Sequence, residues 1–378
     1  MELLRALIEQ DTRKETAPHA AQVANGVPIY DCAALGSVWE DAAKHTALKA
    51  ELADVLLNGP GVFALKAAYK DTEPVDAATS AFETIIAQEK SGTAGGGDHF
   101  AAAGSNDRIW NSLEKLALTD PKTFVAYHAN PWLKLAAESW LGPAFQMTAQ
   151  VNLVYPGGQA QEGHCDYHLG FMTAEQTASY PAHVHAMSAQ LTLQGAIAHC
   201  DMPLESGPTK LLPHSQKWAQ NYLQFRDPSV RALFEEHHIQ MPLEKGDMLF
   251  FSPGLLHAAG ANTSRDINRM ANLVQISSAF GRAMETVDRT AICKAIFPHL
   301  ATANMSHEER ESVIASSAEG YPFPTNLDRD PPVNGLAPPS QQDMLRVALE
   351  EGWNADSFSM ALDSANDKRT GAVQRSRS

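Results

Sequence analysis

From Phe145 onward the chain becomes a series of short apolar runs cut by turn residues, and that texture restricts the fold more than any other feature. The runs are Phe145–Tyr155, Ser188–Ala198, Met248–Ser252 and Met270–Ser278. A turn-rich connection, Met202 to Lys210, and a mostly helical stretch, Trp218–His238, separate the second from the third. Short strands spaced in this way predict a sandwich or a barrel. The flanks carry a helical period instead, at Trp39–Leu57, Val75–Lys90, Asp107–Leu118 and Pro131–Leu141 before the strands, and at Thr286–Ile296, His307–Ser317 and Gln341–Glu351 after them. Asn58-Gly59-Pro60-Gly61 breaks the first of these helices and leads into a short strand, Val62–Leu65. The expected architecture is mainly β with flanking helices, in one domain over residues 1–378. Its parts are a helical and strand region at 1–144, a core at 145–285 and a helical extension at 286–378. Gly92–Gly104 reads as a mobile loop, Tyr321–Pro339 as an irregular surface crossing and the basic, polar Asp367–Ser378 as a disordered tail.

Charge and cysteine usage narrow what such a fold serves. A formal net charge of -15 opposes binding to nucleic acid or to an anionic membrane, both of which rely on basic surface. No segment approaches the roughly 18 uncharged apolar residues of a membrane span. Met1 to Ala17 carries Glu2, Glu9 and Asp11 among its apolar residues and does not read as a signal peptide. The four cysteines, Cys32, Cys165, Cys200 and Cys293, show no CxxC spacing, so neither a zinc ribbon nor a disulfide framework is indicated. The expectation is a cytoplasmic protein acting on a small-molecule substrate, with no nucleic acid or membrane partner and with a homodimer left open.

The chemistry is concentrated in Gln161-Glu162-Gly163-His164-Cys165-Asp166-Tyr167-His168, just after the first strand. Side chains alternate faces along an extended strand, so His164 and Asp166 point one way and Cys165 the other. A neutral imidazole beside a carboxylate supplies two of the three protein ligands in the facial triad that holds non-heme Fe(II) with open coordination positions. The third ligand has to come from far along the chain. In Lys245 to His257 a turn, a buried strand and a second turn deliver His257 from a strand end, which makes it the best candidate. Arg269 opens the next strand, where a guanidinium can grip a carboxylate bidentately as lysine cannot.

Together, His164-Cys165-Asp166, the Ser206-Gly207-Pro208-Thr209 turn, Gly246-Asp247, and His257 with Arg269 resemble the phytanoyl-CoA dioxygenase superfamily. The likeness runs from about Leu48 to Phe280 and includes the Gly59-Pro60-Gly61-Val62-Phe63 element. It implies a double-stranded β-helix core of the jelly-roll, cupin-like kind. It also implies Fe(II), 2-oxoglutarate as co-substrate, O2, and hydroxylation or another oxidation of a small organic substrate. The family's metal ligands carry onto His164, Asp166 and His257, its 2-oxoglutarate arginine onto Arg269, and further co-substrate contacts of some members onto Gln161 and Thr209. Two positions depart from the family pattern: Pro213-His214-Ser215-Gln216 stands where Pro-Gly-Ser-His is usual, and Ala259 where a hydroxyl residue is frequent. Halogenases of this type need a small residue at the position Asp166 fills.

Several residues compete with these assignments. His168 shares the strand face of the pair, but equally fits a hydrogen-bonded structural role. His183-Val184-His185 has metal-like alternation without a nearby carboxylate and reads as loop or lid. Cys165 and Cys200 read as small core residues, Tyr167 and Phe171 as packed aromatics or pocket walls, and Arg265 and Arg282 as solvated charges. A cupin-type metal protein that does not use 2-oxoglutarate, and a non-catalytic binding protein on the same fold, are the alternative classes.

Overall fold

A computed structural model describes residues 1–91, 104–168, 170–332 and 335–370. Its strands are β1 (Gln22–Ala24), β2 (Val27–Asp31), β3 (Val62–Lys66), β4 (Asn106–Ile109), β5 (Gln146–Val154), β6 (Thr192–Ala198), β7 (Lys210–Leu211), β8 (Ile239–Gln240), β9 (Met248–Phe251), β10 (His257–Ala258) and β11 (Arg269–Ser277). Eight of them form one sheet in the order β1-β2-β3-β9-β6-β11-β5-β4, and three form a small sheet in the order β10-β7-β8. The pairing is antiparallel except between β2 and β3.

The period of two along the central strands decides which face is core. Met147, Ala149, Val151 and Leu153 of β5, Leu193 and Ile197 of β6, and Met270, Val274 and Ile276 of β11 join the main hydrophobic cluster. The intervening residues, Gln150 and Asn152 of β5, Gln194 of β6, and Leu273 and Gln275 of β11, line a cavity on the opposite face. A one-residue slip would exchange these two sets, so burial of the apolar face fixes the register. Each large apolar side chain buried there contributes about 1.5–3 kcal/mol. Gly195 interrupts β6 for a packing reason: a Cβ there would lie 2.6 Å from Cδ1 of Phe250.

Helices cover the outer face of the large sheet. Phe82 of Glu73–Ser91, Phe124 of Pro121–His128, Leu135 of Pro131–Leu141, Ile296 of Arg289–Thr302 and Ile314 of His307–Ser317 all belong to the cluster that the strands feed. The expectation of a mainly β protein does not hold, because helix makes up 45% of the structure and strand only 16%. The protein is a large, mostly antiparallel sheet with extensive helical flanks. Among the described residues no helix is long and apolar enough to cross a membrane.

Three further expectations are corrected. Asp107–Leu118 is not one helix: Asn106–Ile109 pairs with β5, Asn111 turns the chain at φ 51°, and only Ser112–Thr119 is helical. The strand expected from Ser188 starts at Thr192, since Ala182–Ser188 is a helix that also carries His183 and His185. The helix Ala355–Thr370 takes up Asp367 to Thr370 of the expected tail, whose remainder lies outside the described residues. The expected loop at Gly92–Gly104 also lies outside them apart from Gly104.

Candidate metal centre

The cavity, about 730 Å³ in volume, is lined by both sheets. On its small-sheet side His164 and His257 form an isolated antiparallel bridge, each backbone N–H donating to the other's carbonyl at 2.9 Å. Two residues separated by 93 positions of chain are thereby held side by side, with ring centroids 4.5 Å apart. Asp166 joins them from the same segment as His164, its backbone N–H donating to the Pro253 carbonyl at 3.0 Å. One ligand atom from each of His164, Asp166 and His257 lies within 4.8 Å of the others.

The backbone also sets which imidazole nitrogen faces the centre. Nδ1 of His164 lies 2.8 Å from the Glu162 carbonyl, and Nδ1 of His257 lies 2.8 Å from the Leu255 carbonyl. A carbonyl only accepts, so Nδ1 carries the proton in both rings and Nε2 is left with its lone pair. Those lone-pair nitrogens face the carboxylate: His164 Nε2 is 3.8 Å from Asp166 Oδ1, and His257 Nε2 is 3.4 Å from Asp166 Oδ2. Burial, reinforced by the neighbouring His257, lowers the His164 pKa and favours its neutral form. Burial alone would raise the Asp166 pKa; with the imidazoles protonated, the hydrogen bond from His257 and then the charge of His164 would outweigh it and hold the carboxyl well below the usual carboxylate range. The set offers two imidazole nitrogens and one carboxylate oxygen, which suits a borderline divalent metal.

A residue that sequence reasoning missed completes the carboxylate's surroundings. Gln194 of β6 donates from Nε2 to Asp166 Oδ2 at 2.5 Å, tying the small-sheet side of the site to the large sheet. Its own Oε1 is buried without a partner. In the sequence it is only a polar residue inside the run Leu191–Ala198, and its role depends on burial (5% exposed) that the sequence does not show.

Arg269, the first residue of β11, is 6% exposed and lines the same cavity. Its Nη1 donates to the carbonyls of Ser206 at 3.3 Å and Gly260 at 3.2 Å. Burial pushes its pKa down to about 10, partly offset by Cys200. Among the described residues no carboxylate pairs with it, so a buried cation faces the cavity without a protein counter-ion. The close turn beside it needs Gly207, which has φ 73° and where a Cβ would meet the Ala261 carbonyl oxygen at 2.2 Å. Thr209 lines the cavity next to this turn. Gln161 lines it as well, and pairs with Ala259 twice: its N–H donates to the Ala259 carbonyl at 2.9 Å, and its Oε1 accepts from the Ala259 N–H at 3.2 Å.

The competing residues lie elsewhere or pack. His168 bonds through Nδ1 to Thr192 Oγ1 at 2.7 Å and does not line the cavity. His183 and His185 sit on a helix rather than in a loop, and His185 is buried against Tyr167 and Tyr222. Cys165 is buried with its Sγ 3.3 Å from the Gly254 carbonyl, and burial raises its pKa well above that of an ordinary thiol. Arg265 and Arg282 are exposed and outside the cavity, whereas Tyr167 and Phe171 line it.

Two histidines and a carboxylate in one cavity with a buried arginine form an arrangement suited to a non-heme iron site. The family model described as phytanoyl-CoA dioxygenase (PhyH) matches residues 57–271, and the chain belongs to that family of 2-oxoglutarate-dependent enzymes. Among solved structures it is similar to the non-heme alpha ketoglutarate dependent epimerase SnoN from nogalamycin biosynthesis, at 17% identity over 63% of this chain and 84% of that one, with a TM-score of 0.41. It is also similar to the carbocyclase SnoK from the same biosynthesis, at 19% identity over 60% of this chain and 83% of that one, with a TM-score of 0.43. No curated protein matches the sequence.

Proposed function

We propose that His164, Asp166 and His257 bind one Fe(II), and that Arg269, helped by Gln161 and Thr209, holds the distal carboxylate of 2-oxoglutarate, in an oxygenase that oxidises a small organic molecule. The convergence of three ligand atoms of the facial-triad type within 4.8 Å carries this reading. When bound, the metal with 2-oxoglutarate and O2 supplies the oxidising power. The chain's own contribution is position. The Glu162 and Leu255 carbonyls hold both imidazoles in the ligating tautomer, and such outer partners typically govern metal affinity. Gln194 fixes the carboxylate, and Arg269 offers its guanidinium in a buried setting where a charge-assisted pair with a carboxylate is strong. Leu243 and Phe251 add apolar wall to the same cavity, and Phe251 packs on the His257 ring, 4.8 Å between centroids.

Two sheets lining one cavity support a double-stranded β-helix core at 145–285, its large sheet extended by β1–β4 of the 1–144 region, within a single domain whose third part is 286–378. A cytoplasmic location belongs to the same reading. The test is succinate formation from 2-oxoglutarate in the presence of Fe(II), screened against a metabolite panel. Fe(II) binding without any 2-oxoglutarate turnover would instead favour a cupin-type metal protein.

A further inference from the structure

Among the described residues, four arginines and two carboxylates line the cavity: Arg108, Arg226, Arg231 and Arg269 against Glu162 and Asp166. The reading above uses Asp166 for the metal and Arg269 for the co-substrate. Arg108 is engaged by Gln150, to whose Oε1 its Nη1 donates at 3.1 Å. Arg226 and Arg231 then remain beside Glu162 alone, in a chain whose net charge is -15. An acidic protein concentrating cations in one cavity runs against its own average field, and local charge of this kind serves to draw in an anion.

The arrangement of the pair is specific. The Arg226 guanidinium is held on one face by the Phe225 ring, 4.2 Å from its centroid, and on one edge by the Met172 carbonyl, to which Nη2 donates at 2.8 Å. Its Nη1 is shielded from solvent and has no acceptor. Arg231 Nη2 pairs with Glu162 at 2.8 Å, but the Glu162 side chain is 72% exposed, which makes that pair weak, and Arg231 Nε is shielded without an acceptor. Burial, and after it the charge of Arg231, lower the Arg226 pKa, so the two guanidinium groups disfavour one another as they stand. An anion shared by them would relieve the repulsion, and the planar guanidinium fork matches the oxygens of a carboxylate or a phosphate.

The geometry points to a prime substrate carrying a compact anionic group, a carboxylate or phosphate monoester, that docks on Arg226 and Arg231 at the cavity mouth while the rest of the molecule reaches the triad. The carboxamides of Gln150 and Gln275 face the same cavity and would suit a polar body better than an aliphatic chain. This inference rests on the assignment of Arg269 to 2-oxoglutarate.

The test uses the full-length protein saturated with 2-oxoglutarate and Mn(II), so that the metal site and Arg269 are occupied. Inorganic phosphate is titrated by 31P line broadening, and acetate is titrated as a competitor to separate phosphate from carboxylate preference. One saturable phosphate site per chain is expected, weakened about tenfold or more by Arg226→Gln and less by Arg226→Lys, with 2-oxoglutarate affinity unchanged within about twofold. Should Arg226→Gln also disturb 2-oxoglutarate binding, Arg231→Gln replaces it as the deciding variant. Equal phosphate binding by wild type and variant, or none to the loaded protein, overturns the inference. If 2-oxoglutarate itself fails to bind, the co-substrate reading is what fails, and the dependence of phosphate binding on Arg226 in the unloaded protein still decides this one.

Discussion

Replacing Gln194 by leucine separates metal binding from fold stability, and the structure gives the sign of both effects. The side chain donates one charge-assisted hydrogen bond, 2.5 Å long, to Asp166 Oδ2. Such bonds contribute about 1.5–3 kcal/mol, and the carboxylate retains 22% side-chain exposure, which places this one toward the lower end. Loss of an outer partner of a ligand typically costs about 10–100-fold in metal affinity. The same substitution removes Gln194 Oε1, which is buried with no partner, and an orphaned acceptor of that kind costs about 1–3 kcal/mol. Leucine has a similar volume, so the fold should be as stable as wild type or slightly more so. Anaerobic Fe(II) competition titration should therefore show roughly 10–100-fold weaker binding, while the metal-free protein unfolds at the same temperature or a little higher. Metal affinity unchanged within about twofold, or a loss of stability matching the loss of affinity, would refute the reasoning.

Other substitutions probe separate parts of the structure. Arg269→Ala should weaken 2-oxoglutarate by about 100-fold or more with Fe(II) affinity nearly intact, and Arg269→Lys should restore little, because the bidentate fork is lost; titration of each ligand reads both effects. Gly195→Ala should destabilise by about 1–3 kcal/mol in chemical denaturation, since its Cβ would press on Phe250 and on the Leu249 carbonyl at 2.8 Å. Burial lowers the pKa of His199 to about 3 and that of His128 to about 4. Between the ordinary histidine value near 6.5 and those values the unfolded chain binds protons that the fold excludes. Stability of the metal-free protein should accordingly fall as pH is lowered through that window, by up to about 1.4 kcal/mol per pH unit for each residue, and a flat profile in denaturant titrations would contradict it.

The strands and the convergence of His164, Asp166 and His257 were legible because local signals and tertiary context agree there. β5, β9 and β11 lie within a residue or so of the apolar runs that announced them, and period-two alternation placed His164 and Asp166 on one side. Asn106–Ile109 was misread because Ile109, Leu113 and Leu116 keep a helical spacing across the turn at Asn111, and only pairing with β5 overrides it. The extent of helix was underestimated at Pro121–His128, although Asp120 caps it by accepting from the Thr123 N–H and Pro121 opens it. Gln194 and Arg226 could not be assigned from sequence, since one acts through a partner 28 positions away and the other through the Met172 carbonyl and a cavity wall.

The measurement bearing most directly on the central claim is the anaerobic Fe(II) stoichiometry of purified protein. One tightly bound ion per chain is predicted for wild type, with binding lost or severely weakened in His164→Ala, Asp166→Ala and His257→Ala alike. Full-stoichiometry, wild-type-affinity binding in any one of these variants would show that the three side chains do not share a ferrous ion.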